Sequence, residues 1–374
     1  MPADEVWTSR LTAVDMAGLF ALPLLSFLVI VALFTVLNKP KSKALTYKSP
    51  NYGAIHHHFT TDDDDCDIIY AGHVTGVYDT AWTSTFDLLF IGVIAVLLLG
   101  LVVWTNIAQA ALWSSSPFWL ALALKAIGLL VVSTLAGMAC RLFCVVDDRG
   151  YVQTTISLKF KINYTRQCQL AAAYLIPLLN LWTSAATNAV LELAWSYLAV
   201  LVCYLVQIKP LRERITWCMV QFNGIDLPDD RPHSLQWLVL NDLLSGFALL
   251  VCFKSLFLER PSLFVVLVLV VVGSRSVAEP VGSLWGQHKF SSKLSWIPHD
   301  SRTWESTAAI FITAMTMPAI MYQSFSSIHQ VFTAMVVLPP VVACIDAVSP
   351  RQWTMPSLVL AAGAVLVGIV HVVA

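Results

Sequence analysis

The chain has 374 residues, of which 57% are hydrophobic and only 12% charged, with a formal net charge of −1. A soluble domain carries about 25% charged residues, so this composition excludes one; without a basic surplus it also excludes a nucleic-acid binder held by phosphate contacts. Apolar runs of about 20 residues, long enough for roughly 30 Å of hydrocarbon, instead predict an all-α polytopic transmembrane helix bundle of about ten spans, forming one domain over residues 1–374.

Met1 to Asp15 is polar and carries Asp4, Glu5 and Arg10. The first apolar run, 15–37, is too long for a signal-peptide core and is expected to be retained. A polar loop over 38–85 follows, with His56-His57-His58 and Asp62 to Asp65. Nothing there imposes the ligand spacing that fixes a metal geometry, and such charge blocks are usually solvated. Spans are next expected at 86–106 and 117–145. The segment 146–166 alternates in part, which suggests a short hairpin or an interfacial helix, and its Lys159, Lys161 and Arg166 suit anionic headgroups.

Two further spans are expected at 169–187 and 189–208, then a connector over 209–235 that mixes Arg212, Glu213 and Arg214 with Asp226, Asp229, Asp230, Pro228 and Pro232. The remaining spans are expected at 236–258, 261–278, 305–322, 328–347 and 354–374. The cysteines show no CxxC pattern and read as small apolar residues. If the first span ends on the cytoplasmic side, all 22 Lys and Arg except Arg10, Lys125, Lys254 and Arg260 fall in cytoplasmic loops or at their edges. That asymmetry is the mark of a correct helix count, so both termini are expected on the non-cytoplasmic side. The sequon Asn163-Tyr164-Thr165 then falls on the cytoplasmic side and is expected to be silent.

The densest polar set lies in "AEPVGSLWGQHKF", residues 278–290, and "DSRTWESTAAIF", residues 300–311. Arg275 and Glu279 stand four residues apart on one helical face, and an ionisable pair at such depth is a functional candidate. Pro280 is expected to end regular helix hydrogen bonding, while Gly282 and Gly286 let the backbone approach a ligand or another helix. His288, Lys289 and Lys293 follow, and a glycine-containing turn with nearby cations suits phosphate. Arg302 and Glu305 stand at the entrance of the next span, where Ser301 or Thr303 is placed to cap the helix and Glu305 complements its dipole.

These two segments resemble the signature of the membrane CTP-dependent lipid kinase and cytidylyltransferase group, which includes phytol kinase, dolichol kinase and phosphatidate cytidylyltransferase. Their pattern is G-D-x-x-A-[DE]-x-x-G-x-x-x-G followed by [KR]-[ST]-x-E-G-S-x-A. Ala278, Glu279, Gly282, Gly286 and His288-Lys289 match the first part; Arg302, Thr303, Glu305 and Ala309 match the second. The resemblance covers residues 270–357, with a fainter echo around Arg166. Three departures stand out. Ser274-Arg275 replaces Gly-Asp, Ser306-Thr307 replaces Gly-Ser, and "DAVSPRQWTMPS" stands where a late Asp-Asn motif is expected.

The resemblance implies an integral membrane phosphotransferase that moves a phosphoryl group from CTP or another nucleotide to a lipid alcohol such as a polyprenol, phytol or dolichol. It further implies Mg²⁺ held by Glu279, Glu305 and Asp346, phosphate contacts from Arg275, Gly282, Gly286, His288, Lys289 and Arg302, and catalytic roles for Glu279 and Glu305. The alternatives are a phosphatidate cytidylyltransferase-like enzyme, a catalytically lost lipid-binding homologue favoured by Arg275, and a transporter using Lys125, Glu192, Lys254 and Glu279 as intramembrane charges.

Overall fold

A computed structural model of the chain describes residues 13–37, 81–155, 160–179, 188–227, 230–290 and 302–372. The His56-His57-His58 and Asp62 to Asp65 clusters, Ser301 and Lys293 lie outside them. Eleven helices organise the described residues: α1 (Ala13–Leu37), α2 (Ala81–Ala108), α3 (Ser116–Phe143), α4 (Ile162–Leu175), α5 (Ala189–Tyr204), α6 (Thr216–Asn223), α7 (Ser234–Leu256), α8 (Pro261–Trp285), α9 (Trp304–Ile320), α10 (Ile328–Val348) and α11 (Thr354–Val372). Shorter helical turns lie between them. Two small antiparallel ladders complete the fold: β1 (Cys144–Val146) with β2 (Val152–Thr155), and β3 (Lys289–Phe290) with β4 (Arg302–Thr303). The first ladder settles the reading of 146–166 in favour of a hairpin.

Local chemistry explains where several helices begin. Asn188 accepts from the backbone N–H of Val190 at 3.1 Å and of Leu191 at 3.4 Å, capping α5. Thr303 accepts from Ser306 N at 3.2 Å and Ser327 accepts from Gln330 N at 3.3 Å, capping α9 and α10. Each cap satisfies an N–H that the helix itself leaves without a partner. Pro261 opens α8, where a missing N–H costs nothing.

Seven helices, including the extended segment Ala189–Gln207, are long and apolar enough to cross a membrane, and the chain is an integral membrane protein. Their outer faces fit that solvent: Leu88, Leu99 and Val103 on α2 and Leu120, Ile127 and Leu135 on α3 stand exposed, a surface that water would not tolerate at this extent. The seven coincide with the spans expected near 86–106, 117–145, 189–208, 236–258, 261–278, 328–347 and 354–374. The other three expected spans differ in character. In α1 the apolar part is the shorter stretch Ala17–Ala32. Helix α9 has 17 residues, a rise of about 25 Å that falls short of the hydrocarbon thickness.

Of the span expected at 169–187, residues 180–187 lie outside the described residues, and the rest begins with the end of α4, a 14-residue helix that buries Thr165, Arg166, Gln167 and Gln169. Its polar residues are tolerable because they face protein, where partners exist, and not lipid.

Helix α8 is the centre of the molecule. Between Leu263 and Val272 every residue is buried except the half-buried Val265 and Leu269, as befits a helix surrounded by others. Helices α9 and α11 pack against it and α10 packs against both of them, through Ile310, Ala314, Met335, Leu338, Leu358 and Leu366. At the C-terminal end of α8, Lys289 pairs with Thr303; beside its N-terminus, Arg260 Nη1 donates to Ser326 Oγ at 2.9 Å. Helix α9 therefore returns along the whole of α8.

Candidate functional site

The last turns of α8 carry the chemistry. Pro280 lies inside the helix, which continues to Trp285. The expected break at Pro280 is thus displaced to Gly286, because neighbouring helices hold the backbone regular past the lost hydrogen bond. The two glycines serve this packing. A Cβ on Gly282 would lie 3.0 Å from Ser306 Cβ, and one on Gly286 would meet Gly282 O at 2.1 Å and Thr303 Cγ2 at 2.7 Å. They admit α9 and its entering strand, and the turn that departs from Gly286 owes its position to them.

Arg275 is the hub. It is only 5% exposed, and its Nη1 donates to Asp346 Oδ1 at 3.0 Å while its Nη2 donates to Glu279 Oε1 at 3.0 Å. Asp346, 1% exposed on α10, accepts on its other oxygen from Arg302 Nη1 at 3.4 Å. Arg302 also donates from Nη2 to Ser349 O and to Thr354 Oγ1, both at 3.3 Å, tying the end of α10 to the start of α11. Arg275 Nε and Ser274 Oγ remain buried without a hydrogen-bond partner among the described residues.

Glu305 forms a second cluster on the first turn of α9. Its Oε1 accepts from Gln287 N at 3.2 Å, from His288 N at 3.2 Å and from His288 Nδ1 at 2.7 Å. Trp304 N donates to His288 O at 3.0 Å, and the Phe290 and Trp304 rings lie 4.7 Å apart. The carboxylate therefore fixes the turn that presents His288 and the exposed Lys289. Burial raises the Glu305 pKa, but the hydrogen bond from the His288 side chain and those from backbone N–H groups outweigh it, holding the carboxyl below its ordinary value.

Helix α4 supplies the third side. Asn163 Nδ2 donates to Glu279 Oε2 at 2.5 Å, and the Tyr164 hydroxyl meets that of Ser283. Arg166 pairs with Asp230 and lies 3.9 Å from Asp242 Oδ2. Asn163, Arg166, Gln167, Asp242, Arg275 and Met355 line a cleft of about 20 Å³, room for about one water molecule.

Folding thus joins Arg275, Glu279, Arg302 and Asp346 in one network and His288 and Glu305 in an adjoining one, with Gly282 and Gly286 between them as packing elements. Sequence reasoning missed Asn163, Tyr164, Asp230, Asp242 and Ser283. The segment 209–235, expected as a mere connector, buries Arg212, Asp226 and Asp230, and Arg231 Nη2 pairs with Asp226 Oδ2 at 2.5 Å. Asp242 lies in a π-helical stretch, Trp237–Leu244, a distortion that often marks functional positions. The signal available beforehand was the concentration of Asp and Arg on either side of Pro228 and Pro232.

The metal ligands expected from the resemblance, Glu279, Glu305 and Asp346, are divided between the two networks. Among the described residues, no three His, Cys, Asp or Glu side chains are grouped to hold an ion. The reason is visible in each carboxylate: guanidinium groups occupy both oxygens of Asp346, Arg275 and Asn163 occupy Glu279, and the Gln287-His288 turn occupies Glu305. Arg275 supplies the positive charge at their centre. No family model, curated protein or solved structure matches the chain.

Proposed function

We propose that the chain is an integral membrane phosphotransferase, moving a phosphoryl group from CTP or another nucleoside triphosphate to a lipid alcohol of the polyprenol, phytol or dolichol class. The observation that carries this reading is convergence. The segments around Glu279, Arg302 and Arg166, which sequence resemblance selects independently, meet at one end of the bundle with side chains in direct contact.

The proposed topology has ten passes with both termini on the non-cytoplasmic side. Two contacts support it. Helix α9 follows α8 from Thr303 to Ser326, and α4 runs from Asn163 beside Glu279 to Pro177, whose carbonyl accepts from Lys125 at 3.0 Å far from that site. The Lys- and Arg-rich loops then share the end that carries Arg275, where a soluble nucleotide arrives.

Phosphoryl transfer asks the protein mainly for positioning and charge neutralisation. In the proposed reaction the lipid hydroxyl approaches Glu279, which takes its proton. The lipid oxygen forms a bond to the γ-phosphorus, the bond to the β,γ-bridging oxygen breaks, and the nucleoside diphosphate leaves. His288, Lys289 and Arg302 hold phosphate oxygens, Arg275 orients Glu279, and Glu305 positions the His288-Lys289 turn. A divalent ion enters this scheme only as part of the nucleotide substrate.

A second reading, a lipid-phosphate-binding homologue without turnover, is favoured by the mutual neutralisation of Arg275 and Asp346. Incubation of the purified protein with γ-labelled CTP or ATP, Mg²⁺ and a panel of isoprenoid alcohols tests both. Labelled lipid phosphate that disappears in Glu279→Gln supports the kinase. No transfer by correctly folded protein, with retained binding of a lipid phosphate, selects the second reading. Release of pyrophosphate from CTP with phosphatidate as acceptor would assign cytidylyl transfer instead.

A further inference from the structure

A cavity at the opposite end of α8 belongs to none of this chemistry. It encloses about 270 Å³ between the start of α5, the end of α7 and the start of α8, close to the roughly 300 Å³ at which small-ligand pockets begin. Ser262 and Glu279 are separated by 17 residues of α8, so the cavity lies roughly 25 Å along the helix from the arginine network.

Its walls divide by chemistry. Pro177, Leu193, Phe264 and Val265 are apolar, while Glu192, Lys254 and Ser262 are polar. Behind Glu192 stands Lys125, 4% exposed, whose Nζ donates to Pro177 O at 3.0 Å and Ser196 Oγ at 3.1 Å and lies 4.0 Å from Glu192 Oε1. Glu192 also attracts Lys254, so the two lysines share its carboxylate. Lys254 is different. Its Nζ lies 5.0 Å from the centre of the Phe264 ring, and among the described residues it forms no ion pair and no hydrogen bond. With Lys125 counted, two cations face the single carboxylate of Glu192, which leaves one cation in excess.

Cation and aromatic face together hold that ammonium in place, and the N-terminal end of α8 adds positive potential beside it. An excess cation beside apolar walls, in a protein surrounded by lipid, defines its complement: a negative head on an apolar stem. We infer that this cavity is a binding site for an anionic amphiphile whose phosphate head pairs with Lys254 and Ser262 while its first methylenes lie against Phe264 and Val265. The site is separate from the proposed phosphotransferase centre and does not depend on that reading.

Native mass spectrometry of the full chain released from micelles, titrated with phosphatidate, phosphatidylcholine or inorganic phosphate, tests this. Phosphatidate is expected to bind at least tenfold more tightly than phosphatidylcholine, and Lys254→Gln to abolish that preference. Glu192→Gln is expected to preserve or strengthen it by removing the one negative wall group. Thermal unfolding of each variant confirms that the fold survives. An unchanged preference in Lys254→Gln, or equal affinity for the two lipids, overturns the inference. Binding of inorganic phosphate at the concentrations that suffice for phosphatidate, lost in Lys254→Gln, assigns the anion site to a soluble ion and removes the amphiphile.

Discussion

At the C-terminal end of α8, Arg275 touches two carboxylates and Arg302 touches one of them again; beside the N-terminal end, Lys254 has an aromatic face, only the distant attraction of Glu192, and no ion pair among the described residues. The two ends of one helix therefore adjoin a buried network of paired charges and a cation with no ion pair among the described residues. A closed buried network fixes geometry, since removing one member leaves the others charged and unpaired, typically at a cost of about 3–5 kcal/mol. An open charge contributes little to the fold and is available to a ligand. Stability and binding should accordingly separate along one helix.

The sharpest way to break that contrast is Asp346→Ala. It removes the carboxylate that Arg275 and Arg302 share and leaves Arg275 with Glu279 alone, and the expected loss is about 3 kcal/mol of stability, read as a large fall in thermal midpoint or failure to recover folded protein. Recovery with an unchanged midpoint would show the network to be open after all. Next comes Gly286→Ala, whose added carbon meets the Gly282 carbonyl at 2.1 Å. Backbone must move, and a destabilisation of about 1–3 kcal/mol is expected, with loss of any transfer activity because the His288 turn shifts.

Glu305→Gln keeps the shape of the clamp and removes its charge. Charge-assisted hydrogen bonds are about twice as strong as neutral ones, so a loss of about 1–2 kcal/mol in stability is expected. Under the kinase proposal it is accompanied by a KM for nucleotide that rises more than kcat falls; the reverse split would make Glu305 a participant in the chemistry. The smallest effect belongs to Lys254→Gln, for which unfolding should stay within about 0.5 kcal/mol of the parent chain. A large destabilisation there would erase the difference between the two ends of α8.

How much of this could be read from residues alone depends on where each signal resides. The apolar runs of α2, α3, α5, α8, α10 and α11 are local, and a run of 20 such residues has few alternatives to a membrane helix. Helix α4 was legible only in part: its apolar residues Leu170, Ala171, Ala172 and Ala173 continue toward Ile176 and Pro177 and suggest a span, whereas its residues Arg166, Gln167 and Gln169 are polar and buried. Polarity predicts exposure only until a partner is supplied. In the site, the spacing of Arg275 and Glu279 and the position of Glu305 were legible; Asp346 could be named but its partners could not, and Asn163 read only as an unused sequon.

The sequence by itself determined the solvent, the helical class and where the central helices begin, because hydropathy, capping and a proline in the first turn act over a few positions. Only the tertiary structure decided that Arg275 stands between Glu279 and Asp346, that Arg212, Asp226 and Asp230 of the connector are interior, and that Lys254 meets the Phe264 ring and forms no ion pair among the described residues. Those outcomes depend on groups distant in the chain coming within hydrogen-bond reach, and in a low-dielectric interior it is that distance which decides whether a charge is neutralised or left open.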